Sequence, residues 1–480
     1  MNLNQTLQEK YPHLEVSVLK LSEVKKNIDF RIDDSFWTMK LIYNNKLNYK
    51  KIGECLLKSQ YGISINMNEG GDGIPIYRMN DIDNMLCNFE VKKYALIDKN
   101  ELQTFRLNYG DVLFNRTNSY EFVGRTGIFY NNRENFVFAS YLVRLVCNKE
   151  ILLPEYLTVF LNTHIGKKEI RRRARPSINQ TNVNPEELKE IKIPIFPMEF
   201  QLEIQNLVKD SHKALEESKE LYKKAEETLY LELGLDPKNP LQSLLDSKTN
   251  NPTKSLNISI HTLKESFLKT GRLDSEYYQK KYEINEKIIM NKKYTVLDNL
   301  VSITKSIEPG SNLYKNKGIP FIRVANLTQY GLSEGDVFLD EKDFFPQYLQ
   351  ILYPKKDTIL FSKDGSVGIA YCVKEDKEVI TSGAILHLNI KDKENILPEY
   401  LTLFLNSIFV KLQAQRDCGG SIISHWRIED IKKVLVAILD IKIQEKIAKY
   451  IQESFNLRKK SKQLLDNAKI KVEEQIQGKT

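Results

Sequence analysis

Apolar residues recur along two stretches of the chain at alternating spacings of four and three. In the first, the series is Phe200, Ile204, Leu207, Ser211, Ala214, Ser218, Leu221 and Ala225. In the second, Ile443, Ile447, Tyr450, Ser454, Leu457, Ser461, Leu464 and Ala468 fall at the matching positions, 243 residues further on. This period predicts two long helices, each with a coiled-coil seam in which serine takes the place of a large apolar residue at two rungs. Elsewhere the pattern is shorter. Leu14–Val18 and Leu256–Ile260 alternate apolar and polar residues as strands do. LPEYLTVFLN (153–162) and LPEYLTLFLN (397–406) are nearly identical apolar strings, each predicting a helix with Pro in its first turn.

The two ten-residue strings belong to a longer match, too widely spaced for a solenoid repeat, that points to a duplicated domain. Arg31-Ile-Asp-Asp-Ser-Phe-Trp37 faces Arg272-Leu-Asp-Ser-Glu-Tyr-Tyr278, and Gly73-Ile-Pro-Ile-Tyr-Arg78 faces Gly318-Ile-Pro-Phe-Ile-Arg323. Val112-Leu-Phe114 faces Ile359-Leu-Phe361, and Gly124-Arg-Thr-Gly-Ile128 faces Gly365-Ser-Val-Gly-Ile369. Leu188–Pro194 faces Ile431–Ala437. The predicted fold is α+β: two tandem mixed α/β domains, residues 1–198 and 256–440, with long helices over 199–233 and 441–480 and a linker over 234–255. That linker carries Pro237, Pro240 and Pro252 among Asn and Ser residues. The helices either pack each on its own domain or pair with one another. A pseudo-twofold relation between the halves would make such a pair an antiparallel coiled coil with one domain near each end.

Composition changes this picture little. A chain of 480 residues with 41% hydrophobic and 28% charged residues can bury real cores, so disorder is excluded. Its 71 basic and 63 acidic residues leave a net charge of +8, which permits a polyanionic partner without requiring one. Cys55, Cys87, Cys147, Cys372 and Cys418 are scattered without C-x-x-C spacing, and the opening MNLNQTLQEK is too polar for a signal peptide. No apolar run approaches 18 residues. The expectation is a cytoplasmic protein with reduced thiols.

Catalytic signatures are missing. There is no Asn/Asp-Pro-Pro-aromatic to grip a target amine, no G-x-x-x-x-G-K-[ST], and no H-E-x-x-H or H-x-E…C-x-x-C. The six histidines are isolated, and Glu69-Gly-Gly-Asp-Gly73 reads as a flexible loop. The expectation is a non-enzyme that holds no metal or cofactor.

The matched segments, above all RLDSEYY, GIPFIRVANL, ILFSKDGSVGIAY, the LPEYL helix and SINQTNVNPEELKEIKIPIFP, resemble the specificity subunit of type I restriction–modification systems. The resemblance covers nearly the whole chain. Its order of segments, present twice with two helical spacers, is more telling than any one motif. Two departures are visible. The second copy has Val436-Ala-Ile-Leu-Asp440 in place of the Pro-rich lead into the spacer, and Gln201 and Gln444 stand alone where the family often has Glu-Gln. The resemblance implies a non-catalytic, sequence-specific DNA-binding subunit for phage defence. It would join two methyltransferase subunits and the restriction motor subunits, with S-adenosylmethionine, ATP and Mg on those partners. Each target-recognition domain would read one half of a bipartite, asymmetric target in double-stranded DNA, and the spacer helices would set the gap and dock the methyltransferases. Same-face binding would favour half-site centres about 34–36 Å apart. The alternatives are a specificity subunit of another split-target methyltransferase system, or a coiled-coil nucleic-acid-binding scaffold.

Divergence between the two copies inside matched loops marks candidate base readers. After Arg78 and Arg323 the loops diverge into Asn80-Asp81 and Ala325-Asn326; Asn pairs with adenine edges and Arg with guanine or phosphate. Between Phe114 and Gly124 lie Asn115, Arg116, Thr117, Asn118, Ser119 and Tyr120, where the second copy has only Ser362, Lys363 and Asp364 before Gly365. Beyond the LPEYL helix the first copy runs through Arg171, Arg172, Arg173 and Arg175 to Asn179 and Gln180. The second keeps Arg416 ahead of Ser421 and His425. Each place reads either as a DNA contact or as ordinary surface variation, the Arg run also as a helix end favoured by its dipole.

Overall fold

A computed structural model describes residues 3–478 apart from 15, 17, 40, 89, 132–133, 179, 247–258, 334 and 420–423. The chain forms two compact units, one of residues 1–215 with 458–480 and the other of residues 216–457. Both unit boundaries cut through a long helix. Each unit thus combines a recognition-type domain, the start of that domain's own long helix and the far end of the other one.

In the first unit a sheet runs in the order Leu56–Tyr61, Leu142–Cys147, Val112–Asn115, Thr126–Ile128, Leu86–Cys87, Ile82–Asp83. The second unit repeats its first four members as Val301–Lys305, Ile385–Ile390, Ile359–Ser362 and Ala370–Cys372, antiparallel throughout. A three-stranded sheet is duplicated too: Val137–Phe138, Ile74–Tyr77 and Tyr94–Ala95 correspond to Ile380–Thr381, Ile319–Ile322 and Phe338–Leu339. The glycines that open the two central strands explain the shared Gly-Ile-Pro. Gly73 (φ +103°) and Gly318 (φ +134°) each lie so close to a neighbouring strand that a Cβ would meet a carbonyl oxygen at 2.2 Å.

The string LPEYL is scaffold in both copies. Leu153 and Leu397 are the N-caps and Pro154 and Pro398 open the helices Pro154–Asn162 and Pro398–Asn406, almost every residue of which is buried. Tyr156 Oη donates to Pro194 O and Tyr400 Oη to Ala437 O, both at 2.7 Å, tying each helix to the strand that leads into the long helix. Asn162 and Asn406 end the strings, and their side-chain amides donate to Thr126 O (3.0 Å) and Ala370 O (2.8 Å), holding the helix on the sheet. Gln201 and Gln444 complete the junction. Their side-chain oxygens accept from Leu153 N (2.9 Å) and Leu397 N (3.0 Å), and their amide groups donate to Phe196 O (3.0 Å) and Leu439 O (2.9 Å). The need for both a donor and an acceptor explains why Gln occupies this place in both copies.

The long helices span Met198–Glu232 and Ile441–Gln477 and pair antiparallel. In the first unit Ser211 meets Ser461, with Oγ atoms 2.8 Å apart and Ser211 Oγ donating to Ser461 O at 3.0 Å. In the second, Ser218 meets Ser454 at 3.0 Å, and Ser454 Oγ donates to Ser218 O at 2.7 Å. Small residues let the backbones close up, and each hydroxyl satisfies itself on the facing chain. The far end of each helix also enters the other domain's core: Leu465, Ala468, Val472 and Ile476 join the first, Tyr222, Ala225 and Leu229 the second. The two expectations for these helices therefore both hold in part.

One predicted element is corrected. Leu14, Val16, Val18, Ser259 and Ile260 lie in no strand, and the other residues of those two segments fall outside the described residues. Leu14, Val18 and Ile260 are exposed. Side chains of the helix Leu3–Lys10 take the place of a partner strand, with Val16 N donating to Gln8 and Val18 N to Asn4. Alternation alone does not distinguish such a segment from a strand. No helix among the described residues is long and apolar enough to cross a membrane.

Candidate nucleic-acid interface

Folding brings two of the three divergent places together, in both units. The loop after Val112–Asn115 carries the short strand Thr117–Asn118, which pairs with Thr181–Asn182, itself paired with Arg175–Pro176. In the second unit Asp364 and Gly419 both bridge to His425, the same pairing in reduced form. The loop between two sheet strands thus lies against the segment that leaves the helix following LPEYL, spanning His164–Arg173 in one unit and Ile408–Asp417 in the other.

That helix is held at its C-terminal end by the Arg-x-Asp segment. Arg31 donates to Arg173 O (2.8 Å) and grips Asp33 (2.7 and 2.6 Å); Arg272 reaches Arg416 O (3.4 Å) and grips Asp274 (2.7 and 2.5 Å). The helix-end carbonyls would otherwise lack partners. The guanidinium bonds hold the Asp33 and Asp274 carboxyls below their ordinary values. Trp37 Nε1 and Tyr278 Oη then donate to Arg31 O (2.8 Å) and Arg272 O (2.9 Å). These motifs fix where the loop emerges.

The candidate residues divide by burial. Arg116, Asn118 and the exposed Ser119, Arg175, Gln180 and His425 lie on the loop cluster with surface to offer. Arg175 is ion-paired with Asp29. Exposed Tyr120 lies under Arg171, 5.8 Å from the ring centre, and Arg125 covers the Phe122 ring at 4.1 Å, so cations and aromatic rings interleave around the loop.

Asn115, Thr117, Ser362 and Lys363 are buried beside the cluster. Ser362 Oγ donates to Ser366 O at 2.6 Å and accepts from Ile369 N at 2.8 Å, which forms the turn. In both copies the arginine at the end of the helix following LPEYL is paired with carboxylates. Arg173 is buried between Glu169 and Glu187, and Arg416 is held by Glu286 and Asp417 (2.8 Å). Charges paired this way hold elements together.

The third place stays apart. Asp81 and Asn326 are buried turn formers that accept from Arg78 N (2.8 Å) and Arg323 N (3.1 Å), so a shared geometry explains both. Arg78 pairs with Asp81 at 3.3 Å and Arg323 with Asp336 at 2.5 Å, both arginines keeping some exposed surface, and Asn80 is exposed. Asn179 and Ser421 lie outside the described residues. The structure adds Asn182 and Tyr61 to the cluster and pairs Asp364 with His425. In the sequence Asn182 is one polar residue among several in SINQTNVN, and cross-strand pairing alone gives it significance. Among the described residues no group of three or more His, Cys, Asp or Glu could hold a metal ion.

A family model described as the type I restriction modification DNA specificity domain matches residues 64–227 and 291–467. A 151-residue stretch is 30% identical to the type I restriction enzyme MjaX specificity subunit of Methanocaldococcus jannaschii, covering 31% of this chain and 35% of that one. Over 161 residues the chain is 27% identical to the type I restriction enzyme EcoKI specificity subunit of Escherichia coli, covering 33% and 34%. The alignments span about a third of the length of these curated relatives. The crystal structure of the type I restriction-modification system S subunit from M. genitalium superposes with a TM-score of 0.40 at 15% identity, over 90% of this chain and 96% of that one. The chain belongs to the family of type I restriction–modification DNA specificity domains. It carries the domain twice, over residues 64–227 and 291–467.

Proposed function

We propose that the chain is the non-catalytic specificity subunit of a type I restriction–modification complex, each domain reading one half of a bipartite, asymmetric DNA target. The observation that carries this reading is the loop cluster. The same backbone pairing occurs in both units, but it displays Arg, Asn, Ser and Tyr over a buried Thr in one, and Asp and His over a buried Lys in the other. A scaffold held constant beneath altered hydrogen-bonding chemistry is what two unlike half-sites demand. The long helices would dock two methyltransferase subunits, and restriction motor subunits would complete the complex. S-adenosylmethionine, ATP and Mg belong to those partners. The test is genome-wide methylation sequencing in a host expressing this chain with its partner methyltransferase. A split motif, modified once on each strand and with unlike halves, is expected. A continuous motif, or methyl transfer by the isolated chain supplied with labelled S-adenosylmethionine and DNA, overturns the reading.

A further inference from the structure

Backbone pairing places one residue of each domain at the same point. In the first unit Asn182 pairs with Thr117, and Val183 N donates to Arg116 O at 2.9 Å. In the second, His425 bridges to Asp364, and Trp426 N donates to Lys363 O at 2.8 Å. Asn182 and His425 are therefore equivalent, as are Thr117 and Asp364, and Arg116 and Lys363. Residue type changes at all three positions.

Around half-buried Asn182, the side-chain amide donates to Thr117 Oγ1 at 3.1 Å, and its oxygen accepts from Arg116 Nη2 at 3.4 Å. Arg116 also reaches Ser140 O at 3.5 Å and lies over the exposed Tyr61 ring at 5.0 Å. Both guanidinium bonds are at the long limit for N–H···O contacts, so Arg116 is steadied without being tightly held, while its Nε is buried. In the second unit His425 Nδ1 pairs with one Asp364 oxygen and Lys363 Nζ with the other. The imidazole is 54% exposed at its side chain. Beside it lies a cavity of about 470 Å³ lined by Lys305, Lys363, Arg427 and Lys433, with Glu429 and Asp430 on the same wall. Arg427 is engaged by Asp430 at 2.7 Å, whereas Lys305 and Lys433 make no ion pair among the described residues.

We propose that Asn182 in the first domain and His425 in the second are the specificity-determining residues of their half-sites. Thr117 and Asp364 act as positioning residues, and Lys305 and Lys433 hold an adjacent phosphate. This assignment rests on the DNA-reading function proposed above. Asn beside Arg offers the paired donors and acceptor that suit adenine and guanine edges in the major groove. An imidazole whose Nδ1 is held by a carboxylate leaves Nε2 for a base edge, a ring nitrogen that suits the polar groups lining the major groove. The two halves are then expected to differ in kind.

The experiment uses the full chain with its partner methyltransferase. Methylation sequencing is run on wild type and on Asn182→Ala, Asn182→His, His425→Ala and His425→Asn, with melting of each purified complex as the folding control. Each variant is expected to lose or change discrimination at a base pair in one half-site, by about ten- to a hundredfold, and to leave the other half untouched. The His and Asn exchanges keep polar side chains of similar size and decide the matter if an alanine variant fails to assemble. A wild-type chain with a clear split motif, whose folded variants keep both halves unchanged, overturns this assignment alone. A wild-type chain that directs no sequence-specific methylation overturns the DNA-reading function, and this assignment with it.

Discussion

Single residues at equivalent positions show what the duplication preserved and what it released. Gln201 and Gln444 use donor and acceptor together at a buried junction, so Gln201→Ala strands the Leu153 N–H and the Ile151 and Phe196 carbonyls at once. A loss of about 2–4 kcal/mol is expected, read as a lowered melting temperature of the whole chain. Arg144 and His387 occupy the same place on the second strand of their sheets. Arg144 is buried against Asp111 (3.4 Å) and donates to Arg106 O at 2.6 Å. His387 has only the Thr381 hydroxyl, at 2.8 Å, and burial pushes its pKa down to about 4. A depressed histidine pKa means the unfolded chain binds the proton first. His387 therefore contributes stability that is present above about pH 6.5 and is lost as pH falls toward 4, roughly 3 kcal/mol in all. Melting of His387→Gln across that range should lack this slope, and an unchanged slope would show that the proton is taken up elsewhere.

Among the elements, the long helices are the most exacting. Their meeting points at Ser211–Ser461 and Ser218–Ser454 are buried, and each hydroxyl is satisfied by the facing chain. Ser211→Ala or Ser454→Ala removes a hydrogen bond without altering the spacing, a cost of about 1 kcal/mol. Ser211→Leu or Ser454→Leu must push backbones apart, and overpacking costs about 1–3 kcal/mol per site. The double Leu variant is expected to melt well below the double Ala variant and to assemble poorly with methyltransferase. Equal melting of the two would argue against close approach at the serines. The LPEYL helices respond differently, since their Tyr hydroxyls serve the junction of a single domain: Tyr400→Phe should destabilise the second unit with the first unaffected.

For the whole molecule, the decisive property is that two continuous helices run from one unit into the other. On the proposed function their length sets the gap in the DNA target. Seven residues inserted in register after Leu215 and after Leu457 add two helical turns, about 10 Å, which corresponds to roughly three base pairs. Methylation sequencing should then show a longer gap between unchanged halves. An unaltered gap, or a change inside either half, would detach the helices from spacing.

The sequence by itself determined the duplication, the α+β class, the two long helices and the existence of a seam with serine rungs. These rest on periodicity and on residues repeated in order, which are local properties of the chain. It also marked the divergent loops. Tertiary structure decided which partners those residues meet. Arg173 is set against Glu169 and Glu187, Arg416 against Glu286 and Asp417, and Asp81 and Asn326 form turns. Cross-strand pairing joined Thr117 to Asn182 and Asp364 to His425 across some 60 residues of chain, a relation that no period or spacing encodes. Only folding could pair Ser211 with Ser461, since antiparallel packing matches each rung with its mirror position and not with the position that aligns in sequence.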